Sequence, residues 1–228
     1  MRQRIYSLLG REFVELLGAA QPAASVEEET RVLFQRFEAT LKQQALSLEN
    51  TVRIRIWSRD RDARNRATAE RSKILTGNAR ACSSSYISPD HFDSDARVAL
   101  DLLAMRPSRP DAERRPVDFE PPRNYLCYLR YDSLIFCSGF TSDAGTLEGQ
   151  VEEILKAIAG ALAVAGTSLS KAIKLSLFLQ RSQKLETLKQ LLAQGPKLEV
   201  PLVEFGFVDG YAGEKSLLEV EATAVVGG

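Results

Sequence analysis

Apolar positions along the chain follow two periods, and the order of those periods is written twice. Val52, Ile54 and Ile56 alternate with Arg53 and Arg55, as Ile173, Leu175 and Leu177 alternate with Lys174 and Ser176. That two-residue period belongs to a strand with one buried face. A helical pattern precedes each strand. Val151, Ile154, Leu155, Ile158 and Leu162 lie close to i, i+3, i+4, i+7, i+11, and Val26, Leu33, Phe37 and Leu41 trace the same stripe less cleanly. Further helices are predicted near 62–75 and 182–194, so each half reads strand, strand, helix, strand, helix, strand, strand.

The two halves align. "ELLGAAQP" (15–22) matches "FCSGFTSD" (136–143), "SLENTVRIRIW" (47–57) matches "SLSKAIKLSLF" (168–178), and "ARVALDLLA" (96–104) matches "SLLEVEATA" (216–224). The offset holds near 120, which points to a duplication. "VEE" recurs at 26–28 and 151–153. Taking these as equivalent helix starts predicts that the first-half helix is about one turn longer. Between the halves, "MRPSRPDAERRPVDFEPPRN" (105–124) holds five of the nine prolines and reads as a connector over the surface. The expected organisation is a domain over 1–104, a linker over 105–121 and a domain over 122–228.

Two helices against one face of a mixed sheet make each half an α+β sandwich whose other sheet face is uncovered. "LIFCSGF" and "LLEVEATAVV" carry apolar residues on both faces. The expectation is that these faces or edges close against other copies, giving a homo-oligomer.

Composition narrows the function classes. The chain has 228 residues, 44% hydrophobic and 26% charged, with 30 basic residues balancing 30 acidic ones. No overall field gathers nucleic acid or an anionic membrane, so neither partner is expected. No apolar run approaches the roughly 20 residues that span a bilayer. The opening "MRQRIYSLLGREFVELLG" interleaves charges too often for a signal peptide. Three cysteines without a C-x-x-C pair suggest a reduced, cytoplasmic protein. The single histidine, His91, leaves little basis for a Ser-His-Asp triad or a metal site. "DAGTLEGQ" (143–150) lacks the lysine and spacing of a phosphate loop. The run "RDRDARNRATAERSK" (59–73), Arg64 included, is expected to form a solvated helix of alternating charge.

The second half carries Ser138-Gly139, Gln150, Ala165-Gly166 and Glu221-Ala222-Thr223-Ala224, with Tyr125 thirteen residues before Ser138. The first half carries Gly18, Asn78-Ala79-Arg80-Ala81-Cys82, and Asp101 where the second has Glu221. In this order and spacing the chain resembles the RidA/YjgF family of imine and enamine deaminases, as a tandem two-domain member. The resemblance implies two chorismate-mutase-like domains, trimeric assembly with clefts between neighbours, and no cofactor or metal. It also implies that an arginine holds the substrate carboxylate while an acid positions water. The endoribonuclease label attached to some members gains no support from a neutral chain without an aromatic-basic platform.

Carried onto this chain, the substrate-binding candidates are Arg80, Gly18, Tyr125, Ser138, Gly139 and Cys82, and the catalytic candidates are Asp101 and Glu221. The position equivalent to Arg80 in the second half is Val200, and Leu17 stands where the first half would need a serine. A composite site, with Arg80 of one domain facing Tyr125, Ser138 and Glu221 of another, follows from these complementary losses. Guanidinium suits the role because it grips a carboxylate bidentately. An arginine before a strand also commonly makes a surface contact, and Cys82 fits a small packing residue as well as a cleft thiol. The expected function is cofactor-independent hydrolysis or deamination of a C=N or related C–N bond in a small carboxylate-bearing metabolite. The alternative is a non-catalytic binding or scaffold protein of the same fold.

Overall fold

The computed structural model describes residues 1–194 and 200–226. In the first half, strands β1 (Arg2–Leu8), β2 (Arg11–Ala19), β3 (Thr51–Ser58), β4 (Cys82–Ile87) and β5 (Val98–Met105) alternate with helices α1 (Val26–Gln43) and α2 (Arg61–Ile74). They form a sheet of order β1-β2-β5-β3-β4, parallel only between β3 and β4. The second half contains β6 (Arg114–Asp118), β7 (Leu126–Tyr131), β8 (Leu134–Cys137), β9 (Phe140–Thr141), α3 (Leu147–Val164), β10 (Ala172–Gln180), α4 (Leu185–Gln194), β11 (Leu202–Val208) and β12 (Leu218–Val225). Its sheet runs β11-β10-β12-β8-β7-β6, with β9 beside β12. Setting β6 and β9 aside, the second sheet reads β7-β8-β12-β10-β11, the same order and directions as the first. The α+β fold of two tandem units is therefore present, each with its two helices on one face.

Three expectations change. Helices α1 and α3 are both 18 residues long and start 121 positions apart. The Ser25 and Thr146 side chains accept the backbone N–H of Glu28 and Gly149, and these N-caps set both starts. The second "VEE" lies a turn inside α3, so the repeated triplet is coincidence and the first helix is not longer. After α3 the chain turns at Gly166, φ +80°; Ala45 occupies the equivalent place at φ +51°. That left-handed residue costs about 1 kcal/mol with a Cβ present. The connector also differs from a plain surface loop, because its residues 114–118 form β6, antiparallel to β7.

The third correction concerns the uncovered sheet faces. Each half keeps a core beneath its helices, around Leu33, Phe37, Ile54 and Leu102 in the first and Ile154, Ile158, Leu177 and Val220 in the second. A third core joins Phe13, Val52, Cys82 and Met105 of the first half to Leu126, Leu129, Leu134 and Phe136 of the second. The helix-free faces thus close on each other within one chain, because both present apolar side chains at alternate positions. No second copy is needed for this closure.

Candidate active site

Near the middle of the junction the facing side chains become charged. Arg53 and Arg55, which alternate with the apolar residues of β3, are buried there. Arg55 holds both oxygens of Glu221 at 2.7–3.1 Å across the junction and reaches Asp101 at 3.2 Å. Arg53 meets Asp101 at 2.8 Å. Burial alone would raise the Glu221 carboxyl, but the charge and hydrogen bonds of Arg55 outweigh it and hold the group below the usual carboxylate range. Asp101 and Glu221 are therefore committed to an ion network between the halves.

A cavity of about 290 Å³ opens beside this network, where the edge strand β4 meets β8, β9 and β12. Helix α2 supplies one wall. Ala63 and Ala67 bury its small apolar stripe, while Arg64, Thr68 and Arg71, at i, i+4, i+7, look toward the cavity. The run "SSS" at Ser83–Ser85 lines the edge of β4. Ser85 Oγ accepts from Arg64 Nε and Nη2 at 2.9 and 2.7 Å, and Ser83 Oγ accepts from Arg71 Nη1. Arg71 Nη2 also donates to the Asn124 carbonyl at 2.9 Å. Among the described residues neither guanidinium forms an ion pair. Desolvation lowers the pKa of Arg64 and, helped by the charge of Arg64, brings Arg71 down to about 10. Arg71 is a cation held out of water and Arg64 one partly so, and an arrangement without an ion pair among the described residues favours an anionic ligand.

The second half contributes Tyr125, Gly139, Thr141 and Glu219 to the same cavity. Glu219 is buried, and its Oε1 has no hydrogen-bond partner. Burial, reinforced by the nearby Glu221 charge, raises its pKa to about 8; Ser84, Tyr86 and Arg64 act in the opposite direction. At neutral pH Glu219 is thus a carboxylic acid that can donate a proton. Gly139 makes room for it, since a Cβ there would collide with the Glu219 carboxyl and stand 2.7 Å from Ser84 Oγ.

The sequence candidates fall into three groups. Tyr125 and Gly139 line the cavity, and Ser138 stands next to it, its Oγ accepting the Ser83 N–H at 3.0 Å and so fastening β4 to the second half. Cys82 is buried with Sγ 2.8 Å from the Phe136 carbonyl, and burial raises its pKa to about 12, so it packs as a thiol. Arg80, Gly18, Asp101 and Glu221 are not among the lining residues. Arg80 is paired at the surface with Asp118, with Nη1 3.2 Å from Oδ2, and Gly18 lies under α1 near Leu33 and Phe37. The cavity is lined from both halves, with arginines of α2 and Glu219 in it, and the expected facing of Arg80 with Tyr125, Ser138 and Glu221 is not what it brings together. Helix α2 is correspondingly not solvated all round: Glu70 and Arg71 are buried and Arg64 is half-buried. The helical spacing of Arg64, Thr68 and Arg71 and the three serines in a strand were the available signals. Glu219 and Glu221, two apart on β12, share a face.

No family model matches the sequence, and no curated protein matches it. Among solved structures, a chorismatase is alike over 97% of this chain and 79% of its own, with 14% identity and a TM-score of 0.69. The chain has the chorismatase fold. A YjgF/YER057c/UK114-family protein of Mycobacterium tuberculosis matches 50% of this chain and 100% of its own, with 24% identity and a TM-score of 0.45. A YjgF-family protein of Neisseria meningitidis matches 51% of this chain and 97% of its own, at 19% identity and a TM-score of 0.44. About half of this chain spans nearly all of each of these YjgF-family structures. Among the described residues no helix is long and apolar enough to cross a membrane.

Proposed function

We propose that the chain is a cofactor-independent hydrolase acting on a small carboxylate-bearing substrate in the cavity between its halves. The observation that carries this reading is the meeting, in one cavity, of two guanidinium groups without an ion pair among the described residues and a buried carboxyl whose Oε1 has no hydrogen-bond partner. Arg64 and Arg71 take the substrate carboxylate, and the exclusion of water strengthens that grip. For an imine, Glu219 gives its proton to nitrogen, which makes the adjacent carbon electrophilic. Water adds to that carbon and returns a proton to the Glu219 carboxylate. The same proton then passes to the amino group of the adduct, the C–N bond breaks, ammonia leaves, and the adduct hydroxyl becomes the ketone as it loses its proton. An enamine differs only in taking the first proton on carbon. Positioning and one acid–base group suffice for such reactive substrates.

The paired arginines and the full-length likeness to a chorismatase favour a second reading, an enol ether with two carboxylates. Chorismate is a molecule of that kind. Glu219 would protonate the enol carbon, water would add at the ether carbon, and collapse of the adduct would release pyruvate and an alcohol.

Both readings are tested with the intact protein. One arm supplies 2-iminopropionate, generated in situ by an amino-acid oxidase, and follows ammonia and keto-acid release. The other supplies chorismate and follows pyruvate. Acceleration in either arm, lost in Glu219→Gln and retained in Arg80→Ala, supports the hydrolase. Thermal stabilisation by both compounds with no acceleration would favour the binding-protein alternative.

A further inference from the structure

Glu219 and Glu221 project from the same face of β12, and one aromatic residue of the other half stands against both. The Tyr86 hydroxyl donates to Glu221 Oε1 at 3.2 Å. Its ring lies 4.4 Å from that of Phe178, and Phe178 is the β10 residue paired in register with Glu219. Tyr86 is fully buried, so its hydroxyl must find its partner within the junction. Two carboxyls this close in a dry junction do not both ionise readily, and the local cations decide which one does. Arg55 gives Glu221 both arms of its guanidinium, whereas Glu219 has no ion pair among the described residues.

We infer that Glu221 and Tyr86 are positioning residues of opposite effect: Arg55 holds Glu221 as the anion and that fixed anion keeps the proton of the pair on Glu219, while the Tyr86 hydroxyl, set against both carboxyls, eases either anion and so tempers that hold. The inference rests on the reading of Glu219 as the acid of the cavity. It assigns Glu221 a part in the chemistry although it lies outside the cavity lining. The groups facing Glu219 are Arg64 and Arg71 from α2, Ser84 and Tyr86 from β4, Tyr125 before β7, Tyr211 before β12, and Glu221 on its own strand; Arg55 acts through Glu221.

The two variants carry opposite signs. Glu221→Gln removes the neighbouring anion and frees Arg55, so Glu219 loses its proton at lower pH. Tyr86→Phe removes a dipole that eases both anions, so Glu219 keeps its proton to higher pH. The measurement is carbon NMR of the full chain labelled with 13C at the glutamate carboxyl. In the unaltered protein one carboxyl should titrate near pH 8, and this signal should be missing in Glu219→Gln. The midpoint should fall by about one unit or more in Glu221→Gln and rise by several tenths in Tyr86→Phe. Tyr86→Phe is the safer variant, as it removes one hydroxyl and leaves the Arg55 pair intact. Midpoints unchanged in both folded variants, or moved in the same direction, would overturn the inference. The readout needs no turnover: shifts of the expected sign in a protein that hydrolyses nothing would defeat the proposed function and leave this assignment standing.

Discussion

The Glu219 carboxyl occupies space that only a glycine at position 139 leaves open. A Cβ there would collide with the acid and press on Ser84 Oγ at 2.7 Å, while the Gly139 N–H is tied to the Ser83 carbonyl at 3.3 Å. Backbone held across the junction cannot step back freely, so the Glu219 side chain must move instead. Gly139→Ala should lower kcat by about two orders of magnitude, the scale of an ångström-level misplacement. Steady-state kinetics beside a melting curve make the check, and a fully active variant would show that Glu219 need not sit there.

Arg71 and Arg80 should behave in opposite ways. Arg71 is buried with only a serine hydroxyl and a carbonyl as hydrogen-bond partners among the described residues besides its neighbour Ser72, so its charge opposes folding while awaiting an anion. Arg71→Met should leave the unligated protein as stable as before or more so, yet weaken carboxylate binding by roughly tenfold to a hundredfold. Arg80 pairs with Asp118 at a partly exposed site, where such pairs contribute about 0–1 kcal/mol. Arg80→Ala should therefore change binding and stability little. Isothermal titration with a substrate carboxylate compares the two, and a binding loss confined to Arg80→Ala would return the clamp to that residue.

Repeat and fold class were legible because they rest on periodicity and on matched segments. The offset between "ELLGAAQP" and "FCSGFTSD" matches Gly18, in β2, with Gly139, in the break between β8 and β9, and α1 and α3 begin at that same offset. What escaped was which charges turn inward. Arg53 and Arg55 read as the polar side of a half-buried strand, yet that side faces the other half of the chain and its acids. Arg64 and Arg71 read as solvated because alternating charge ordinarily means solvent, and no local pattern announces a neighbouring domain over one helix face. The motif directed attention to Glu221, whose partner Arg55 lies 166 residues earlier. Pairings at that separation are set by the docking of the halves.

Glu219 should also be visible in stability against pH. Its carboxyl titrates near 4.5 when unfolded and near 8 when folded. Between those values the folded chain binds a proton that the unfolded chain does not. The stabilisation is complete below about pH 4.5 and is lost as pH rises through 8, with a slope of up to about 1.4 kcal/mol per unit. Urea unfolding of the unaltered protein and of Glu219→Gln at several pH values should converge at the acid end and diverge toward pH 8, the glutamine variant being the steadier. Parallel curves would mean that Glu219 is already ionised in the folded state.

Breaking the Arg55–Glu221 pair should be costly. Both side chains are buried, and removing one leaves the other charged and dry. Arg55→Leu should destabilise by about 3–5 kcal/mol, whereas replacing both by apolar residues should recover much of that loss. Denaturant unfolding decides this, and a single variant within 1 kcal/mol of the unaltered chain would mean that water reaches the network.

The repeat itself predicts self-association. In the first half the edge strand β4 is buried against the second half, but its equivalent β11 leaves Leu202, Val203 and Phe207 exposed. Strand β7 lies in the junction, but its equivalent β1 leaves Ile5, Tyr6 and Leu8 exposed. Each surface that the junction uses once is thus left over once. A second copy carries the complementary surface, so β11 of one copy can meet β1 and β2 of the next. Such head-to-tail contacts close a ring if the rotation permits, and three of them would give the trimer that the resemblance leads one to expect. Light scattering should report an oligomer at micromolar concentration, and the pair Tyr6→Lys and Leu202→Lys should reduce it to the 25.2 kDa chain. A monomeric unaltered protein at that concentration would leave the internal junction as the fold's only use of these faces.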